Sequence, residues 1–279
     1  MDTPETQKQQ IAGLYDRVAA AYGSVGPNFF AHVGAHLIEH IGITPGARVL
    51  DVAAGRGANL FPAARQVGPR GQVIGIDLAP GMVQETTAEL ARRGISHASM
   101  LHMDAEHLTF PDASFDYLLC GFAIFLFPHL EQALAHFFRV VRPGGKIGIS
   151  VASDLHALSH WFGQRLTDYH QRHQFPIRAG GGQGSNYAQL PQHLSLAGFT
   201  AIEVRQEQAD FTYADPQEWW SARWTHGPRY ALEHMPPAVL AQFQAEVLAR
   251  LAQEAASGGI HETLNIQYIL ASKDGSTKK

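Results

Sequence analysis

The chain has 279 residues, 45% of them hydrophobic, with a formal charge of −4 and a pI of about 6.5. That suits one embellished α/β domain and argues against a nucleic-acid binder, which needs basic surface to release counterions from phosphates. The single cysteine, Cys120, excludes an intrachain disulfide; Met1–Gln10 lacks the apolar run of a secretory signal, and no apolar stretch reaches the roughly 18 residues of a membrane span, so a cytoplasmic chain without stable membrane insertion is expected.

Thr3 and Pro4 open a helix in which Ile11, Leu14, Tyr15, Val18, Ala19 and Tyr22 follow helical spacing. A second helix is predicted over Asn28–Ile41, stopped by Gly42. From Ala47 strands and helices alternate. Strands are predicted at Ala47–Val52, Gln72–Asp77, Ser96–His102, Phe115–Cys120 and Lys146–Val151, with helices at Ala58–Val67, Gly81–Arg93 and Leu130–Val141 between them. Such alternation with short turns implies parallel strands and right-handed crossovers, hence a doubly wound α/β sheet. Beyond Val151, Ser153–His173, Leu190–Ala197, Pro216–Trp224 and Pro237–Ala255 read as helices, and Thr200–Thr212 and Glu262–Ser272 as closing strands. The chain divides into an N-terminal helical cap, 1–46, and a main domain, 47–279. The main domain carries a lid insertion at about 153–187 and a helical insertion at about 214–258. Gly180–Gly184 is expected to let the lid move.

Four segments carry chemistry. Val49-Leu50-Asp51-Val52-Ala53-Ala54-Gly55-Arg56-Gly57 is a buried strand running through a carboxylate into a glycine-rich turn before a helix. Gly55 and Gly57 allow close backbone approach, and the helix start offers free amides. A dinucleotide fingerprint would place a third glycine where Leu60 stands, which disfavours a nicotinamide cofactor. The second segment, Val73–Asp77, ends a strand in an acid suited to a ribose diol. The third, Met103 to Asp116, is a polar turn ahead of strand four. The fourth, Val141-Arg142-Pro143-Gly144-Gly145, is a turn before strand five.

In order and spacing these segments resemble the class I S-adenosylmethionine-dependent methyltransferases, and within them the ubiquinone/menaquinone C-methyltransferase branch. Tyr15-Asp16-Arg17-Val18-Ala19 and Tyr22 resemble that branch's N-terminal run, and the likeness spans about Leu14 to Val151. It implies a Rossmann-like seven-stranded sheet of order 3-2-1-4-5-7-6 with strand seven antiparallel, and S-adenosyl-L-methionine as cofactor. It implies that Asp51 and the Ala53–Gly57 backbone hold the methionine end, with Gly55 and Gly57 central. Asp77 would hold the ribose hydroxyls, and Leu78 and Met82 would flank the adenine. Asp104 and Ala105 would meet its edge, and Gly121 and Phe122 would lie beside the sulfonium. Tyr22 joins these as a further contact. Ala53 departs from the family's usual glycine; its small side chain suggests tolerance.

After strand four, Leu119–Pro128 carries no N/D-P-P-Y/F amine-binding run and no acid cluster for a divalent metal. Phe29, Phe30, Phe125 and Trp161 are candidates for an apolar substrate pocket, and Trp219, Trp220 and Trp224 for lining it, for ordinary packing or for a membrane or partner surface. Among sixteen histidines, His32, His36 and His40 share a helix face, but no cysteine or acid pattern nearby completes a metal site, and none is expected. His156, His160 and His170, in the lid, are the candidate general bases. The reading is methyl transfer by direct displacement to a small aromatic or hydrophobic organic acceptor. The alternatives are an S-adenosylmethionine-binding protein without methyl transfer and an NAD-dependent oxidoreductase.

Overall fold

The computed structural model describes residues 3–154, 157–177, 187–256 and 258–275. Helix α1 (Pro4–Val18) begins where Thr3 accepts the Thr6 amide on its hydroxyl, and α2 (Phe29–Ile41) stops where Gly42 turns left-handed at φ 67°. The alternating body runs β1 (Arg48–Val52), α3 (Leu60–Val67), β2 (Gln72–Asp77), α4 (Pro80–Arg92), β3 (Ala98–His102), β4 (Phe115–Gly121), α5 (Leu130–Val140) and β5 (Val141–Asp154). It continues with α6 (Ala157–His173), α7 (Leu190–Leu196), β6 (Thr200–Tyr213), α8 (Pro216–Ala222), α9 (Arg229–His234), α10 (Pro237–Ala256) and β7 (Ile260–Ser272).

The strands form one seven-stranded sheet in the order β3-β2-β1-β4-β5-β7-β6. β1 to β5 pair in parallel, and β7 is antiparallel to both β5 and β6, as the family resemblance implied. Two details differ from the sequence reading. β5 begins at Val141, within the expected turn, because Phe115 pairs with Val141 before the register shifts to Tyr117 with Lys146. The short helix α9 was not anticipated, since six residues carry too little periodicity to register.

The sheet is buried on both faces. On one side Leu134 and Phe137 of α5 and Leu194 of α7 pack against Leu118, Ile147 and Ile149. On the other, Val33, Leu37 and Ile41 of α2 join Leu60 and Ala63 of α3 against Val49, Tyr268 and Leu270. Thus α2 is one of the sheet's own covering helices. α1 instead packs Leu14 and Val18 on Ala79 and Met82, at the C-terminal edge of the strands. A third core gathers Phe162, Tyr169, Trp219, Trp220, Phe243 and Val247 from α6, α8 and α10 into a helical body. Trp219 is wholly buried there, and Trp161 and Trp224 pack against the same cluster, so these tryptophans serve packing within that body. Among the described residues no helix is long and apolar enough to cross a membrane.

Candidate active site

Strand order reverses at β1, and ligands of open parallel sheets sit beyond the strand ends at such a point. Two cavities lie there. The smaller, about 80 Å³, is lined by Asp77, Leu78, Met82, Met103, Asp104 and Ala105, with Lys8 and Tyr15 of α1 closing it. The larger, about 780 Å³, runs past Phe30, Gly57, Asn59 and Ser150. Tyr22, Ala53, Gly55, Gly121 and Phe122 line both, so the two are halves of one cleft.

The turn after β1 shapes the floor. Gly55 has φ 52°, and a Cβ added to it would meet no atom within 4 Å, so its bare backbone faces open space. Asp77, at the end of β2, ties this turn down: its Oδ2 accepts the Gly55 amide at 2.8 Å and its Oδ1 the Ala79 amide at 2.9 Å. Each oxygen keeps a lone pair for a further donor. Burial pushes this carboxyl above the ordinary range, and the amides offset that only in part. Leu60, at the dinucleotide family's third glycine, packs against β2 because the strand supplies the glycine instead: a Cβ on Gly75 would come within 2.5 Å of Leu60 Cδ1.

Beneath the floor lies Asp51, fully buried and outside both cavity linings. Its Oδ1 accepts from Asn59 Nδ2 at 3.1 Å, while Oδ2 has no partner among the described residues. Burial drives its carboxyl up to about 7. Asn59, which the sequence reading missed, stands between Asp51 and the larger cavity; a Cβ on Gly121 would come within 2.6 Å of its Nδ2. Ser150 Oγ, on the large cavity's wall, is likewise buried without a partner among the described residues.

On the small cavity's wall Asp104 accepts from Lys8 Nζ at 2.8 Å, the Glu106 amide at 2.9 Å and His107 Nδ1 at 3.0 Å. Burial works to raise its pKa, but these donors outweigh it and hold the carboxyl below its usual range. Lys8 also pairs with Glu106. No local pattern flagged Lys8, because its partners lie about a hundred residues away.

At the junction, Ala53 and Phe122 both take left-handed backbone, φ 52° and 50°. Such strain in side-chain-bearing residues gathers at functional sites. Tyr22 stacks on Phe30 at 4.8 Å, and burial pushes its phenol well above its ordinary pKa. Phe29 sits edge-on to Phe122 at 6.2 Å, behind Phe30, and outside both linings. Phe125 contacts Tyr187 outside the cleft, and Trp161 belongs to the helical body. Neither of those two candidates reaches the cavities. His160 is exposed and bonded to Gln164, and His170 Nδ1 is 2.5 Å from the Phe175 carbonyl, so neither faces the cleft. His156 and Gly180–Gly184 lie outside the described residues. Two polar groups were unforeseen. His226 sits edge-on to Phe29 and Phe30 at 6.3 and 6.4 Å, and Glu207, on β6, meets His32 and His36.

The comparisons agree with this geometry. A family model described as a methyltransferase domain matches residues 49–145. The nocamycin O-methyltransferase of Saccharothrix syringae is 33% identical over 276 residues, covering 92% of this chain and 96% of that protein. The ubiquinone/menaquinone biosynthesis C-methyltransferase UbiE of Ectopseudomonas mendocina (strain ymp) is 35% identical over 154 residues, 52% of this chain and 59% of that protein. By fold, the chain resembles Haemonchus contortus phosphoethanolamine N-methyltransferase 2, solved with phosphomonomethylethanolamine and S-adenosylhomocysteine. The TM-score is 0.60 at 18% identity, over 98% of this chain and 61% of that one. The chain belongs to the class I S-adenosylmethionine-dependent methyltransferases and resembles their UbiE branch. It is an enzyme of methyl transfer with S-adenosylmethionine as its cofactor. The open backbone at Gly55, the spare lone pairs of Asp77 and the apolar walls of the small cavity fit that molecule.

Proposed function

We propose that this enzyme methylates an oxygen of a small, hydrophobic or aromatic organic molecule. One observation carries the reading: the cleft's two halves meet at Tyr22, Ala53, Gly55, Gly121 and Phe122, with the aromatic ring of Phe30 just beyond. The adenosyl group takes the small half, which must widen beyond its about 80 Å³ to hold it, between Leu78, Met82 and Met103, with its ribose on Asp77 and its adenine edge toward Asp104 and Ala105. The methionine end follows the Ala53–Gly57 backbone toward Asn59. The larger half, about 780 Å³ and shared by the methionine end and the acceptor, lies in the range of small-molecule sites. Oxygen as the methylated atom rests on the Saccharothrix syringae relative, named an O-methyltransferase and similar over nearly its whole length.

The cofactor supplies an electrophilic methyl group. The acceptor oxygen forms the new C–O bond as the S–CH₃ bond breaks, the bonding pair stays on sulfur, and the acceptor's proton leaves to solvent. The protein's part is alignment and exclusion of water. Phe122, Phe30 and Tyr22 hold a flat apolar acceptor in line, and α1, through Lys8 and Tyr15, covers the small half. His226 serves as a polar contact. Burial and nearby Arg223 hold its imidazole down to about 3, so it is neutral at working pH, and its Nε2 has no partner among the described residues. It would accept a hydrogen bond from an acceptor hydroxyl once Phe29 and Phe30 shift.

The test is transfer of labelled methyl to a panel of hydroxylated aromatic and polyketide-like acceptors, with matched panels of amines and thiols. The expected product is a methyl ether formed in equal amount with S-adenosylhomocysteine. Turnover confined to amines, thiols or carbon would overturn the oxygen assignment. Turnover only with polar, non-aromatic acceptors would overturn the pocket's role.

A further inference from the structure

The flank of α2 that faces the sheet's edge carries His32 and His36 one helical turn apart, and β6 brings Glu207 against them. His32 Nε2 lies 2.7 Å from Glu207 Oε1, His36 Nδ1 lies 2.8 Å from Oε2, and the two rings are 4.2 Å apart. All three potential ligand atoms fall within 4.8 Å of one another. The i, i+4 spacing puts both imidazoles on one helix face, and the long-range pairing of α2 with β6 supplies the carboxylate that local spacing could not reveal.

We infer that His32, His36 and Glu207 form a binding site for a divalent transition-metal ion, with zinc as the reference ion. Two imidazoles and one carboxylate are a recurrent ligand set for such ions, with the remaining positions left to water. Bonds of about 2.0–2.1 Å in a tetrahedral shell put ligand atoms about 3.3 Å apart, so this cluster must open by about half an ångström. It has room to do so: the histidine side chains are 34% and 35% exposed, and no core residue need move. The carboxylate is already held from behind. Tyr268, fully buried on β7, donates its hydroxyl to Glu207 Oε2 at 2.6 Å, the kind of outer partner that orients a metal-binding carboxylate. His40, one turn further along α2, is not a fourth ligand, because its Nδ1 accepts from Arg205 Nη1 at 3.1 Å.

The site bears on the cleft through packing. His32 sits edge-on to Phe211 at 5.5 Å, and Phe211 edge-on to Phe29 at 6.1 Å. An ion here would pin the first turns of α2, and with them the aromatic wall at Phe29 and Phe30, to the edge strand.

The experiment is calorimetric titration of the untagged, chelator-treated full chain with zinc chloride, alongside Co²⁺ absorption as a report on ligand number. Wild type is expected to take up one ion per chain at this site. Glu207→Gln and His36→Ala should each weaken it by more than the roughly 10–100-fold that losing an outer partner costs, and Tyr268→Phe by about that smaller amount. His40→Ala should leave it unchanged. S-adenosylhomocysteine binding reports whether each variant is folded. If Glu207→Gln fails that check, the half-exposed His36 position gives the same readout alone. Absence of stoichiometric uptake in wild type would overturn the inference. So would uptake that persists in the folded variants, which would mark other histidines, or a simple hydrogen-bonded cluster that ties α2 to β6.

Discussion

Asp51 lies near the end of β1 with one oxygen on the Asn59 amide and the other without a partner among the described residues, and burial pushes its carboxyl up to about 7. In the unfolded chain the same group titrates near 3.9. Below that value both states are protonated and the residue is neutral to stability. As pH rises toward 7 the unfolded state ionises first, so stability falls. Above about 7 the full penalty, about 4 kcal/mol for a shift of this size, is in place. Asp51→Asn keeps the Asn59 contact and removes the titration. Relative to wild type its stability should therefore improve by about 2.6 kcal/mol on going from pH 5 to pH 8, measured by urea unfolding at both values. A pH-independent difference would mean that Asp51 is not held protonated. Ala53, at φ 52°, makes a second point of strain. Left-handed backbone costs an alanine about 1–2 kcal/mol, and glycine returns part of that gain as unfolded-state entropy. Ala53→Gly should stabilise by up to about 1 kcal/mol in the same assay; destabilisation would show that the Ala53 methyl packs well enough to repay its strain. The sequence made Ala53, Gly55, Asp77 and Asp104 legible because each stands in a local strand-to-turn pattern. It hid Asn59, Lys8, His226 and Glu207, whose importance lies in partners far along the chain.

At the scale of elements, strand positions were readable where one periodicity ran for five or more residues, as in β2, found at Gln72–Asp77. They blurred where backbone pairing overrode local chemistry, as at Val141, where a Pro-Gly-Gly turn is drawn into β5 by Phe115. α1 was readable as part of an N-terminal cap, but its grip on the cleft was not. That grip comes from Lys8, whose ammonium bridges Asp104 and Glu106, the latter almost wholly buried. Burial lowers the lysine's pKa, yet the two carboxylates outweigh it and raise it on balance. Lys8→Met keeps the stem and removes the charge, leaving Glu106 buried without its cation. α1 should then dock less firmly over the adenosyl half. S-adenosylhomocysteine affinity is expected to fall by roughly 1–2 kcal/mol, mostly through faster release, as charged hydrogen bonds of this kind contribute. Calorimetry and stopped-flow release would show it. Unchanged affinity and release would mean that α1 covers the cleft without gripping it.

For the molecule as a whole, the question is what fastens the helical body of α6 and α8–α10 to the sheet, which its core meets at Tyr213 and Ile260, at the end of β6 and the start of β7. The strand order followed from family resemblance, but this junction could not be read from the sequence, since it joins residues from four separate segments. Arg223, after α8, donates to Glu262 Oε2 at 2.6 Å near the start of β7. Tyr213, from the end of β6, donates to the same oxygen at 2.8 Å, and Ser159 of α6 donates to Oε1. Both charged side chains are nearly excluded from water, at 8% and 7% exposure. Burial alone would raise the Glu262 pKa, but Arg223 and the hydroxyl donors outweigh it and hold the carboxyl below its ordinary range. Its contribution to stability is therefore present above the unfolded pKa and is lost as pH falls through the folded one. Arg223→Met strands a buried carboxylate. It should destabilise by about 3–5 kcal/mol at pH 8 and by less at pH 5, where Glu262 can take up a proton. The double variant Arg223→Met/Glu262→Leu should recover much of that loss, because well-packed apolar groups often replace a buried ion pair with little penalty. Urea unfolding of the three proteins at both pH values measures these differences. If the single variant lost no more than about 1 kcal/mol, the pair would be behaving as a surface salt bridge, and the helical body would have to be held to the sheet by apolar contacts such as Tyr213 with Trp219.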